Sequence, residues 1–381
     1  MRFIHFFIII FLFFPLFTYS QVNLKRIPLG TFDFLLYPAD AQSLSLGKGG
    51  FASNPNESNW TNNPSKLNFL DEKSGITVSY NPVARGLVSD MSLSRINAYS
   101  KLKTESVLNC GLQYFNSGAI DLRDDNGNSN GLFNSYMMAI QVGYSMKFGK
   151  KLSGGLIFRY VNAHLLPRQI FGQYAVQPSS TLNGDLSLFY QGDKTKQQYF
   201  NGAILIENIG PKVSFGDYKK NNFQSTIFKV GGTYNQKIQS NDLLSFNLDF
   251  HKMLVPTPPL MNNEGKIING KNPVETSSLS AIFSSWVDAP DGIKEEVAEM
   301  MFSIGATFNH ADKLVGRIGY FNDPKRKGDR KLLTFGGGLQ HIHLRGDKYQ
   351  MNVDIAATVG LGGFTALNRT YMLTLNLSKT N

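Results

Sequence analysis

The chain has 381 residues, with 38 Lys and Arg against 28 Asp and Glu, a formal charge of +10, and 42% hydrophobic residues. Its single cysteine, Cys110, excludes an internal disulfide. Beyond the N-terminal run, no segment approaches the ~18 consecutive apolar residues of a membrane helix, which excludes a helical membrane protein.

Residues 1–20 carry Arg2, an apolar run from Phe6 to Phe17, and then Thr18-Tyr19-Ser20. This pattern predicts a secretory signal peptide cut near Ser20, because a run this short and broken by Pro15 does not make a stable transmembrane helix. No Cys follows, so no lipoprotein anchor is expected. Loss of Arg2 lowers the charge from +10 to +9. In an exported protein the excess cations point to lipopolysaccharide phosphates, acidic lipid headgroups or an acidic partner rather than to nucleic acid.

Residues 21–74 are rich in Asn, Ser, Gly and Pro and show little alternation. Phe32, Phe34, Leu35, Leu36 and Tyr37 nevertheless favour a packed segment, and a plug or hatch inside a wide barrel is the expected form.

From there on, apolar and polar residues alternate. Met138, Ile140, Val142, Tyr144, Met146 and Phe148 oppose Ala139, Gln141, Gly143, Ser145 and Lys147. A strand with this pattern has one greasy and one wet face. Alternation predicts strands near 75–80, 93–102, 106–115, 134–148, 152–162, 180–191, 198–207, 226–236, 242–251, 300–309, 312–321, 331–341, 349–358 and 369–378. That is about fourteen, an even number, as single-chain bacterial barrels have. The links alternate between short and long, which predicts periplasmic turns, outward loops and both termini in the periplasm. The fold expected is an all-β antiparallel outer-membrane barrel with residues 75–381 as the barrel domain. Cys110 shares parity with Leu108 and Leu112 and reads as a small lipid-facing residue. Arg159, Arg317, Lys147, Lys229, Asp185, Glu207 and Asp249 fall on the inward parity, where charge is tolerated. They either line a path or form salt bridges within a filled barrel, the commoner outcome.

Residues 252–299 are too long for a passive link. Leu254-Val255-Pro256-Thr257-Pro258-Pro259 should be extended, since each Pro fixes its own φ and biases its predecessor. Leu279, Ile282, Phe283 and Trp286 at i, i+3, i+4, i+7 predict a short amphipathic helix ending near Asp288-Ala289-Pro290. An acidic helical turn through Glu295, Glu296 and Glu299 follows. The loop is either a self-packed cap or a docking surface. Its candidate partner-binding residues are Leu254, Val255, Pro256, Thr257, Pro258, Pro259, Phe283, Trp286, Asp288 and Pro290.

No nucleophile elbow, zinc-helix motif or phosphate loop occurs, so neither an enzyme nor a cofactor is expected. His341 and His343, two apart, lack an evident third metal ligand. Asp121-Leu122-Arg123-Asp124-Asp125-Asn126-Gly127 lacks the spacing of a calcium loop and reads as a solvated outer turn. Arg345-Gly346-Asp347 reads as ordinary turn chemistry.

Several stretches carry a family resemblance: Phe34-Leu35-Leu36-Tyr37-Pro38-Ala39-Asp40-Ala41, Leu46-Gly47-Lys48-Gly49-Gly50-Phe51-Ala52 and Trp60-Thr61-Asn62-Asn63-Pro64-Ser65-Lys66-Leu67. To these are added Val78-Ser79-Tyr80-Asn81-Pro82, Asp249 through Pro259, Ile282 through Pro290 with Lys294-Glu295-Glu296, and Gly319-Tyr320-Phe321. Together they resemble the PorV (LptO) family of the type IX secretion system. The resemblance implies a FadL-like barrel that takes cargo bearing a C-terminal signal domain from the translocon barrel to an attachment complex. There a sortase-like partner links cargo to lipopolysaccharide. Two other readings are a FadL-like channel for small hydrophobic molecules and a lipopolysaccharide deacylase. The latter needs a Ser, His and carboxylate set for which no local signature occurs.

Overall fold

The computed structural model describes residues 26–380 apart from 57, 87, 104, 125, 166–168, 172–173, 177, 216–221, 240, 345–347 and 363–364. The predicted signal peptide and the Arg345-Gly346-Asp347 triplet lie outside the described residues.

Fourteen strands form one closed antiparallel barrel, each paired with its sequence neighbours and the last with the first. They are β1 (Ser74–Pro82), β2 (Ser92–Lys103), β3 (Ser106–Arg123), β4 (Ser129–Lys147), β5 (Leu152–His164), β6 (Ser179–Tyr190) and β7 (Gln198–Ile209). The second half comprises β8 (Ile227–Gln239), β9 (Asp242–Met253), β10 (Met301–His310), β11 (Leu314–Asn322), β12 (Lys331–Leu344), β13 (Tyr349–Gly360) and β14 (Tyr371–Lys379). Closure joins Ile76 to Leu377 and Val78 to Leu375. A closed ladder leaves no backbone edge to lipid, the condition for crossing hydrocarbon.

Burial is inverted relative to a water-soluble protein. Along β14, Tyr371, Leu373, Leu375 and Leu377 are exposed, while Met372, Thr374, Asn376 and Ser378 are buried. Cys110 is exposed between the exposed Leu108 and Leu112. The interior is therefore polar and must satisfy itself.

Two devices do this. The first is pairing across the wall: Arg159 meets Asp185 at 2.5 Å, Lys229 meets Glu207 at 2.6 Å and Arg317 meets Asp354 at 2.6 Å. The second is the N-terminal segment, which lies within the barrel against wall residues on all sides. Phe34 stacks on Phe115 at 6.0 Å, and Arg95 donates to the carbonyls of Tyr37 and Pro38. Helix α1 (Ala41–Ser45) is capped by Asp40, whose carboxylate accepts from the Ser43 N–H at 2.7 Å. The Ala41 N–H donates to Thr374 at 2.9 Å, and the Thr334 hydroxyl donates to the Ser45 carbonyl at 2.8 Å. Asp249 accepts from the Gly50 N–H at 2.7 Å. Lower down, Ser65 meets Ser187 at 2.6 Å, Lys147 lies over the Phe69 ring at 4.8 Å, and Lys101 donates to the Leu70 carbonyl. Each inward charge anticipated from parity thus has a wall or N-terminal-segment contact.

Two details depart from the sequence reading. β3 and β4 continue their ladder to Arg123 and from Ser129, well past the predicted ends at 115 and 134. Alternation stops there because both faces are wet, while backbone pairing does not need it. Arg26 lies at the long-loop end, bonded to Glu295 in the loop before β10, whereas Lys379 pairs with Ser74 and Tyr349 at the short-turn end. The expected position of the mature N-terminus itself lies outside the described residues, but from Arg26 the N-terminal segment runs down the lumen before β1 begins. Finally, the register shifts between Leu339 and Ile342, and His341 has φ 54°, so a bulge breaks the simple two-residue spacing of His341 and His343.

The fit between lumen and N-terminal segment is close at Gly319, where an added Cβ would lie 2.4 Å from the Gly47 nitrogen. Gly319→Val should therefore dislodge the segment and let trypsin cut after the half-buried Lys48 and the buried Lys66 while the barrel stays assembled. Gly316→Val, which meets nothing within 4 Å, should leave the protein as resistant as the parent. Digestion followed by mass spectrometry reads the difference.

Candidate functional site

The segment between β9 and β10, residues 254–300, is the longest link between barrel strands. After Met253 the chain enters the proline run, and Leu254, Val255 and Thr257 are 2%, 1% and 0% exposed. Pro256 and Pro259 are buried and Pro258 half-buried. A small hairpin pairs Leu260–Met261 with Ile267–Asn269. Helix α2 (Ser278–Ser284) follows, with the Ser277 hydroxyl accepting from the Ser280 N–H as its N-cap, and then helix α3 (Ile293–Ala298).

Both predicted helical turns are present, but their faces are reversed from what a water-soluble cap would show. Ala281, Ser284 and Ser285 of α2 and its end are buried, whereas Leu279, Phe283 and Trp286 are 67%, 76% and 40% exposed. In and after α3, Glu295, Glu296 and Glu299 are buried, whereas Ile293 and Val297 are exposed.

A buried ion network explains the inward carboxylates. Lys252 bridges Glu296 at 2.8 Å and Glu299 at 2.7 Å. Lys327, in the β11–β12 loop, bridges Glu295 at 2.7 Å and Glu299 at 2.8 Å. Arg26 meets Glu295 at 2.9 Å and Asp291 at 2.8 Å. Three cations from three separate segments thus hold one short helix, and the Thr257 hydroxyl adds a 2.6 Å bond to Glu299. The Ala289 N–H donates to Glu296 at 2.7 Å and the Thr257 N–H to Asp288 at 3.4 Å. Isolated buried ions are costly, and a complete set of partners offsets that cost.

Of the ten residues anticipated as partner contacts, Phe283 and Trp286 face outward. Leu254, Val255, Pro256, Thr257, Pro259 and Asp288 are buried and fix the loop instead, and Pro258 and Pro290 are half-buried. Leu279, Val287, Ile293 and Val297 are exposed apolar residues that the candidate set omitted. Leu279 was legible from its helical spacing. Lys252, Lys327 and Arg26 were not, because their partners lie far away in sequence.

Inside the barrel two spaces have linings that mix polar and apolar side chains. One of about 420 Å³ near the short-turn end is lined by Asn54, Asn56, Tyr199, Asn241 and Arg317, among others. Another, of about 70 Å³, is lined by Lys48, Phe51, Arg95, Arg159 and Lys229, among others. Among the described residues no group of three His, Cys, Asp or Glu is placed to hold a metal ion.

The network sets the pH response of the loop. Burial opposes ionisation of Glu295, but hydrogen bonds from Arg26, Lys327 and the Asp291 N–H overcome it and hold the carboxyl at about 2, below its ordinary 4.5. Its contribution is complete above pH 4.5 and fades as pH falls toward 2. Burial pushes Asp288 up to about 6 from 3.8, opposed by the Thr257 N–H and reinforced by the charges of Glu296 and Glu299. Folding then favours its protonated form, so its contribution grows as pH falls from 6 to 3.8. Loop attachment should accordingly rise from pH 6 to about 4.5 and fall below it. A spin label on Asn263 in a Cys110→Ser background reads this as mobility. Glu299→Ala, which strips a partner from both Lys252 and Lys327, should cost about 3 kcal/mol and free the loop at every pH.

No curated protein sequence matches the chain. In shape it is similar to the toluene transporter TbuX of Ralstonia pickettii, with 13% identity, 91% of this chain and 99% of that chain covered, and a TM-score of 0.49. It is also similar to the toluene transporter TodX of Pseudomonas putida, at 12% identity, 94% and 100% coverage and a TM-score of 0.48. A FadL homologue of Pseudomonas aeruginosa is 8% identical over 89% of this chain and 98% of that one, with a TM-score of 0.47. The family model described as type IX secretion system protein PorV matches residues 20–260, more than half of the sequence, and the chain belongs to that family.

Proposed function

We propose that this outer-membrane barrel works without catalysis as a cargo carrier of the type IX secretion system. It binds proteins with a C-terminal signal domain as they leave the translocon barrel and delivers them to the attachment complex and its sortase-like member. Family membership supports the system. The observation that carries the rest is the loop between β9 and β10, held by buried ions while presenting Val287, Ile293 and Val297 outward. A preordered surface loses little conformational entropy on docking. Residues 21–74 serve as the plug, and the charged side chains lining the spaces beside it, Arg317 in one and Lys48, Arg95, Arg159 and Lys229 in the other, disfavour a route for apolar solutes.

The loop can be removed without opening the wall, because Thr257 and Asp288 already touch. Replacing residues 257–289 by a short Gly-Ser link should leave the barrel assembled, as judged by heat-dependent mobility on gels. Recovery of cargo on the cell surface should drop at least about tenfold, equivalent to the loss of ~1.4 kcal/mol of binding. Full cargo secretion from such a strain would show that the loop is not the contact.

A further inference from the structure

The lipid-facing aromatic girdle at the long-loop end includes Tyr80, Tyr160 and Tyr371, all exposed, and the packed pair Phe302 and Tyr320. Such girdles mark the level of the headgroups. On β8, β9 and β10 the rung Val230–Phe250–Phe302 lies at this level, and the next lipid-facing rung pairs Phe228 with Lys252. A bare ammonium at that position would face the acyl boundary. Lys252 is instead 2% exposed, covered by Glu296 and Glu299, and its Nζ lies 5.9 Å from the Trp286 ring. Trp286 in turn packs edge-on against Phe228 at 5.3 Å.

Trp286 therefore continues the girdle upward, and α2 continues Trp286. Leu279 and Phe283 lie one turn apart on one face of α2, and the exposed Trp286 follows just past its end. The opposite side packs inward, with Ala281 clustered with Phe223 of the β7–β8 loop, Val255 and the barrel residue Met253. In water this face would leave three large apolar side chains bare. At the boundary between headgroups and acyl chains the same face is buried, and Trp is the side chain enriched there.

We infer that α2 and Trp286 form a membrane foot, with Leu279, Phe283 and Trp286 seated among the acyl chains of the outer leaflet. The occupant of this apolar face is lipid, by continuity with the lipid-facing band through the Phe228–Trp286 contact. The assignment is independent of the carrier reading, and a protein partner that uses the same face must displace lipid from it.

The chain has two tryptophans, and Trp60 is buried in the lumen at 1% exposure. Emission lost on changing Trp286→Phe therefore belongs to the foot. The full chain is reconstituted in phosphatidylcholine vesicles whose acyl chains carry bromine close to the headgroup. The Trp286 component should lose most of its intensity relative to unbrominated vesicles and resist aqueous iodide, while the remaining emission of Trp286→Phe, that of buried Trp60, should be quenched by neither agent. Leu279→Ser with Phe283→Ser should lift the foot, weakening bromine quenching and restoring quenching by iodide. Trp286 emission indifferent to brominated lipid and open to iodide would overturn the inference.

Discussion

Backbone amides in hydrocarbon must find partners within the chain, and everything else in this molecule follows from that demand. Closure of fourteen strands answers it. Closure with one greasy face directs Ser, Thr, Asn and charged side chains into the lumen, where their own hydrogen bonding has to be met. Residues 31–70 meet much of it. Thr374, Thr334, Asp249 and Ser187 are wall residues whose partners are Ala41, Ser45, Gly50 and Ser65. The N-terminal segment is therefore part of the barrel's interior energetics, and dislodging it would expose polar wall groups as well as its own.

The loop before β10 repeats this logic at the mouth. Its carboxylates point inward to Lys252, Lys327 and Arg26, and its apolar residues point outward. Because Arg26 belongs to the N-terminal segment and Lys327 to the β11–β12 loop, the three parts are joined through Glu295. Displacing α3 would strain all of them together.

Much of this was readable in the sequence, and the limits have physical causes. Strand number and parity were legible because a two-residue period survives wherever one face meets lipid and the other does not. The ends of β3 and β4 were not, since above the membrane that contrast vanishes while the ladder persists. Inward charges were legible because lipid excludes them. The helix at Leu279 and Phe283 was found by its spacing, although it ends at Ser284 rather than near Asp288-Ala289-Pro290, and periodicity identifies a face without saying what covers it. The acidic turn at Glu295, Glu296 and Glu299 read as a helical turn only, because its basic partners stand 28 to 269 residues away. The path of the N-terminal segment was hidden for the same reason.

Membership of the PorV family ties the barrel to type IX secretion, and the carrier role proposed for it rests on the braced loop. The most direct test is to tag the chain, extract it gently from outer membranes and identify what accompanies it by mass spectrometry. The carrier account predicts large secreted proteins sharing a C-terminal domain, together with a giant barrel or a sortase-like protein. Recovery of the barrel alone, with only lipid bound, would contradict it.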